Sequence, residues 1–316
     1  MSPSVPKAIV VLVLFAVLVA SCSNGSDPQP DGQQTEEPPP AGVRVKEGVG
    51  YRSAGGVSLE LDVYMPEKPG PYPGLIYIHG GGFFTGDKCT GTRSIGSRYA
   101  REGFVVYMIN YRLAPALDED DDGRVSCSDG TSSDIDALRP FHYPAPLEDA
   151  TAAAEWVRAY GRRYKTDVSR IGALGTSAGG TLAYMLGNAG LVDAVVGWSG
   201  PTMLGECSTY TCSVHENYLG CPEASCPERW TAASPLPDVS RRTVPTGIYN
   251  SSDEVIDKGQ AEDLAAALEE AGVRHATTIV PGRRHATAYG NYVLPNGEPV
   301  WEDTSRFLKD NLGPAE

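Results

Sequence analysis

The chain has 316 residues, 41% hydrophobic and 21% charged, which is enough apolar content for a full core and excludes a wholly disordered protein. Its formal net charge of -14 argues against nucleic acid as a partner and against attraction to anionic lipid headgroups, both of which would repel it.

Residues 1–22 read MSPSVPKAIVVLVLFAVLVASC, one lysine ahead of an apolar run from Ala8 to Ala20. The run is short for a bilayer span and has the form of a secretory signal peptide. It ends in Val19-Ala20-Ser21-Cys22, which resembles the lipobox of bacterial lipoproteins. That resemblance implies a lipid on Cys22 and an exported protein anchored to the outer face of the membrane or envelope. With such an acidic chain, attachment would rest on that lipid. Residues 23–42 are rich in proline, glycine and acids and predict a disordered tether, leaving 43–316 as the folded domain.

From Val43 onward, short apolar runs alternate with helical periodicity, the pattern of parallel strands joined by crossover helices. Val57 to Tyr64 alternates as a half-buried strand does. Leu75–Ile78, Phe104–Ile109, Ile171–Leu174, Ala194–Trp198, Thr246–Tyr249 and Thr277–Val280 read as further strands. Apolar residues at helical spacing mark helices over 147–160, 181–186, 261–271 (closed by Gly272) and 305–312. The prediction is an α/β fold with a mostly parallel sheet of about eight strands and helices on both faces. Two stretches break the rhythm: 116–143 is acidic, and 202–242 holds four cysteines. Both follow strand ends, at the sheet edge where α/β proteins bind ligands, and are expected to roof the site.

Cys22 aside, the six cysteines suit an oxidising compartment. Cys207 with Cys212 and Cys221 with Cys226 share one spacing and predict two local loops, which leaves Cys89 for Cys127; sequence alone leaves other connectivities open. No cysteine or histidine cluster has zinc spacing, so no metal site of that kind is expected.

Gly175-Thr176-Ser177-Ala178-Gly179 follows a strand and precedes a helix, the setting in which G-x-S-x-G forms a nucleophile elbow. A serine hydroxyl needs a base and a group to orient it, and the hydrolase fold supplies them in the order serine, acid, histidine. Asp253 stands after the strand ending at Tyr249, and His285 after the last strand. Glu254 and Asp257 compete for the acid, but Asp253 lies nearest the strand end and is preferred. His285 alone has the right place in the chain for the base; His142, His215 and His275 read as surface or satisfied core residues. The glycines of Leu75–Gly86, LIYIHGGGFFTG, lack the spacing of a phosphate loop. They instead suit an oxyanion hole, Gly81 and Gly82 giving two backbone N–H groups and Ala178 a third. His79 then has a structural role.

HGGGF at 79–83, NYRLAP at 110–115, YPAPLEDA at 143–150 and GTSAGG at 175–180 together resemble the α/β-hydrolase carboxylesterases of the hormone-sensitive-lipase and acetylxylan/feruloyl esterase-like groups. The resemblance covers about residues 50–312. It implies Ser177 as nucleophile and an oxyanion hole at Gly81 and Gly82. Thr176 and Ala116 stand where the lipase-like enzymes usually have aspartate and glutamate, and the N-terminal helical cap of those enzymes is replaced by the tether. The group without the cap is therefore favoured.

Asp118, Asp120, Asp122 and Asp129, with Gly123 at the sixth place, match the spacing of a calcium loop with a shorter final acid. A structural Ca²⁺ is one reading; a solvated acidic loop is the other, since no flanking helices are evident and Cys127 falls inside. Catalysis itself needs no cofactor. The expected activity is hydrolysis of carboxylic esters, short-chain or carbohydrate-linked, through an acyl-enzyme. A serine peptidase of the prolyl-oligopeptidase kind and a non-enzymatic surface binding protein are the alternatives. The partner expected is a small-molecule ester; the sequence sets no oligomeric state.

Overall fold

The computed structural model describes residues 41–89, 92–117, 121–127 and 132–313. The signal peptide, Cys22 and nearly all of the tether lie outside them, as do Asp118, Asp120 and Asp129. Among the described residues no helix is long and apolar enough to cross a membrane.

Eight strands form one sheet in the order β1-β2-β4-β3-β7-β8-β9-β10. They are β1 (Val43–Ala54), β2 (Val57–Pro66), β3 (Tyr72–Ile78), β4 (Val105–Ile109), β7 (Thr166–Thr176), β8 (Ala194–Trp198), β9 (Thr246–Ser251) and β10 (His275–Val280). The β1–β2 and β2–β4 pairs are antiparallel and all others parallel. β3, β4 and β8 are near-continuous apolar runs because both of their faces are covered, and β9 is buried along its whole length although half of its residues are polar.

Alternation along each strand sorts the side chains into two cores. Ile76, Val105, Tyr107, Ile171, Ala173 and Val195 face α2 (Ala145–Tyr160), α3 (Ala178–Asn188) and α6 (Lys258–Glu270). Leu75, Tyr77, Val106, Leu174 and Val196 face α1 (Thr92–Arg101) and α7 (Val300–Leu312). This is the α/β-hydrolase arrangement. Because β3, β7, β8, β9 and β10 run parallel, their C-terminal ends open at a single edge, and the loops after them lie side by side.

Two of the sequence motifs prove to be scaffold. Arg112 of NYRLAP is buried against Asp149 of YPAPLEDA, Nε donating at 2.7 Å and Nη2 at 2.9 Å, with Glu148 at 3.0 Å. The pair clamps the loop after β4 to α2. Asp149 also pairs with Arg52 Nη1 at 2.9 Å, so the buried carboxylate is held between two guanidinium groups.

The insertions are more ordered than the sequence suggests. The acidic one contains an antiparallel pair of β5 (Arg124–Ser126) and β6 (Ser132–Asp134), and the cysteine-bearing one contains α4 (Thr209–Leu219) and α5 (Pro227–Ala232). Disulfides join Cys89 to Cys127, Cys207 to Cys212 and Cys221 to Cys226. Short-range covalent loops replace the missing apolar periodicity in holding this segment.

Candidate active site

Ser177 sits between the end of β7 and α3 with φ 51° and ψ -122°, a conformation a non-glycine residue rarely holds. Its N–H donates to the Trp198 carbonyl at 2.8 Å, and its own carbonyl accepts from Gly180 N–H at 2.8 Å. The turn closes only because Gly179 lacks a side chain: a Cβ there would strike the carbonyl oxygens of Ile78 and His79. The elbow and the HGGG loop therefore touch backbone to backbone. A Cβ at Gly80 would likewise lie 3.1 Å from Ser177 Cβ.

Gly81 adopts φ +110°, and its carbonyl accepts from the N–H groups of Phe84 and Thr85 at 3.1 and 3.0 Å. That turn leaves the N–H groups of Gly81 and Gly82 without an acceptor among the described residues; Ala178, first residue of α3, is in the same position. All three residues line one cavity with Ser177 and His285, of about 470 Å³. The geometry is that of donors waiting for an oxyanion.

His285 and its carboxylate partner follow β10 and β9. His285 Nδ1–H donates to Glu254 Oε2 in a short hydrogen bond, leaving Nε2 for the cavity. The carboxylate of Glu254 is fully buried, while the imidazole is 34% exposed. Glu254 Oε1 accepts from Ser251 N–H at 2.7 Å and from Ser199 Oγ at 2.8 Å. The loops are tied by Asp253 N–H to the Gly282 carbonyl at 3.0 Å and Gly282 N–H to Ser252 Oγ at 3.0 Å.

The carboxylate hydrogen bonded to His285 is thus that of Glu254, not that of Asp253 as the strand-end rule predicted. The turn after β9 explains the correction. Asp253 spends its backbone on Gly282 and points its carboxylate outward to Ser252 Oγ at 2.7 Å, in an exposed position. The longer Glu254 folds back beneath the strand end to reach His285. Asp257 caps α6 through Gly259 N–H at 2.7 Å.

His79 is buried and stacked on Tyr111 at 4.3 Å, its Nδ1 hydrogen bonded to the Gly80 carbonyl at 2.7 Å. Burial lowers its pKa, so it is a neutral brace for the glycine loop. Thr176, where the lipase-like enzymes have aspartate, pairs with Tyr77 Oη at 3.1 Å in the cavity floor.

Two residues of the site carried no motif. Ser199, directly after β8 and at φ 54°, links acid and base: its Oγ bonds Glu254 and accepts from Ala286 N–H at 2.9 Å. Tyr289 Oη lies 3.0 Å from Ser199 Oγ and donates to the Tyr249 carbonyl at 2.9 Å; burial raises its pKa well above that of a free phenol and keeps the proton in place. The only sequence signal for Ser199 was its place at a strand end on the active edge.

Both insertions reach the cavity, the first through Val125 and the second through α4. His142 and His275 lie elsewhere, bonded to the Asn217 and Val273 carbonyls. His215, expected in the core or on the surface, lines the cavity. Of the four calcium-loop acids only Asp122 is described; its Oδ1 accepts from Arg124 N–H at 3.1 Å. The one group of potential metal ligands among the described residues, Asp87 with Cys89 and Cys127, has both sulfurs in a disulfide and offers no thiolate.

The BD-FAE family profile matches residues 61–118 and 137–268, more than half of the chain. The chain belongs to the BD-FAE family. Esterase LipI of Mycobacterium tuberculosis is 33% identical over 114 residues, 36% of this chain and 28% of LipI. The chain spans less than a third of the length of the curated relatives it matches most significantly. Among solved structures, a truncated carbohydrate esterase from gut microbiota superposes with a TM-score of 0.68 at 22% identity, covering 85% of this chain and 96% of that one. An acetyl ester-xyloside bifunctional hydrolase from Caldicellulosiruptor lactoaceticus gives 0.61 at 23% identity, over 79% and 89%. These likenesses establish the α/β-hydrolase fold of this BD-FAE member.

Proposed function

We propose that the protein is an exported serine hydrolase of carboxylic esters, acting on short-chain acyl or carbohydrate-linked esters through an acyl-enzyme. The observation that carries this reading is the convergence on one cavity of Ser177, His285 backed by Glu254, and three N–H groups without an acceptor among the described residues. Ser177 Oγ attacks the ester carbonyl carbon as its proton passes to His285 Nε2. Glu254 stabilises the resulting imidazolium through Nδ1–H. The N–H groups of Gly81, Gly82 and Ala178 hold the oxyanion, and His285 returns the proton to the departing alkoxide. Water then repeats the sequence on the acyl-enzyme and frees the acid.

The names of the similar proteins, esterases and a carbohydrate esterase among them, support the ester class. The apolar run ending at Cys22 and three disulfides support export and a lipid anchor.

The test is turnover of p-nitrophenyl acetate and acetylated xylo-oligosaccharides beside a panel of peptide amides. Ester cleavage that falls by about 10⁶-fold in Ser177→Ala is expected. Amide cleavage outrunning ester cleavage would refute the reading.

A further inference from the structure

The wall of the cavity includes part of α4, with Tyr210, Thr211, Val214 and His215. This wall abuts the oxyanion loop: a Cβ on Gly82 would stand 3.0 Å from Val214 Cγ1. Of its other polar groups, the Thr211 hydroxyl is engaged with Ser208 in the helix cap, and Tyr210 is largely exposed to solvent. His215 is different. It is 3% exposed, and its ring packs edge-on against Trp230 at 6.3 Å.

The tautomer of His215 is fixed by its surroundings. Nδ1 lies 2.8 Å from the Leu204 carbonyl, which can only accept, so Nδ1 carries a proton. Burial lowers the pKa to about 4, so the ring stays neutral and Nε2 is a bare lone pair at any ordinary pH. Nε2 has no partner among the described residues, and unlike Nε2 of His79 it is not sealed off. The cavity that His215 lines is the catalytic one. An acceptor in an apolar wall discriminates strongly, because a ligand that desolvates it without donating a hydrogen bond leaves it unsatisfied.

We propose that His215 Nε2 accepts a hydrogen bond from a hydroxyl carried by the substrate, making the preferred substrates esters that bear a free hydroxyl on the arm lying along α4. This specificity role rests on the ester-hydrolase reading above.

Two matched pairs test it: ethyl against 2-hydroxyethyl acetate, with the hydroxyl on the alcohol, and ethyl butyrate against ethyl 3-hydroxybutyrate, with the hydroxyl on the acyl chain. In one pair the hydroxylated ester is expected to have the higher kcat/KM. His215→Leu should lower that ratio about tenfold, the worth of one hydrogen bond, and His215→Gln, which keeps an acceptor, should restore part of it. A purely structural histidine would reduce both members alike and leave the ratio unmoved, overturning the proposal.

Binding without turnover separates this from the activity itself. In the Ser177→Ala protein, the Nε2 nitrogen-15 resonance of His215 should move upfield when the hydroxylated ester of that pair is added and stay in place with its partner. An unmoved resonance at saturation with both hydroxylated esters refutes the role of His215, whether or not the wild type hydrolyses any ester. Absence of hydrolysis in the wild type refutes the ester reading alone.

Discussion

The floor of the cavity and its helical wall are built by opposite means. The floor consists of loops at the ends of parallel strands, fixed by backbone hydrogen bonds and by glycines that admit no side chain, as at Gly179 against the Ile78 and His79 carbonyls. The wall is a short helix in an insertion, held by the Cys207–Cys212 disulfide at its start and by contacts of Trp230 and Leu204 with His215. Groups that must stay within a few tenths of an ångström of one another stand on the sheet. Groups that choose among substrates stand on a segment that can change without disturbing the elbow. Changes in the floor should therefore depress turnover of every ester, and changes in the wall should alter selectivity and stability.

The largest expected effect separates two neighbouring acids of the floor. Glu254→Gln should lower kcat by about 10⁴-fold, since the amide favours the wrong tautomer of His285. Asp253→Asn, on an exposed side chain, should stay within about twofold on the same ester. Equal losses in the two variants would break the assignment of the acid.

The wall should show itself in acid. His215 has a folded pKa of about 4 against 6.5 when free, so the unfolded chain binds the extra proton first. Its contribution to stability is present above pH 6.5 and is lost as pH falls through the window down to about 4, by roughly 3 kcal/mol in all. Urea melts across that window should be flatter for His215→Gln than for the wild type. Parallel curves would contradict the buried neutral state.

Gly179→Ala forces a methyl group onto two backbone carbonyls and should cost about 1–3 kcal/mol in urea stability, with turnover reduced for all esters alike. Selective loss on one ester class would mean that the elbow shapes specificity, against the division drawn here. Ser199→Ala is the mildest: kcat should fall about tenfold with KM little changed, because Glu254 Oε1 and Ala286 N–H each lose one hydrogen bond. A change confined to KM would move Ser199 from the floor to the binding surface.

The same division explains what could be read in the sequence. Ser177, His285 and the glycine loop were legible because each is marked locally, by strand-turn-helix punctuation or by three consecutive glycines, and most of the sheet followed from its apolar runs, but not β1, whose largely exposed residues carry no such run. The acid was not, since Asp253, Glu254 and Asp257 share one turn and the selection is made by which side chain the Ser251 N–H and Ser199 hydroxyl hold inward. Ser199 and Tyr289 act through contacts between strands far apart in sequence, which no local pattern records. The pairs Cys207–Cys212 and Cys221–Cys226 were visible from spacing, whereas α4 and the cavity-lining His215 were not: a covalently stapled segment needs little apolar periodicity to fold.

The most direct measurement is the site of covalent modification by a fluorophosphonate, read by peptide mapping of the labelled protein. The account predicts one adduct per chain, on Ser177, with labelling abolished in Ser177→Ala and slowed by orders of magnitude in Glu254→Gln. An adduct on any other residue, or labelling of Glu254→Gln as fast as the wild type, would contradict it.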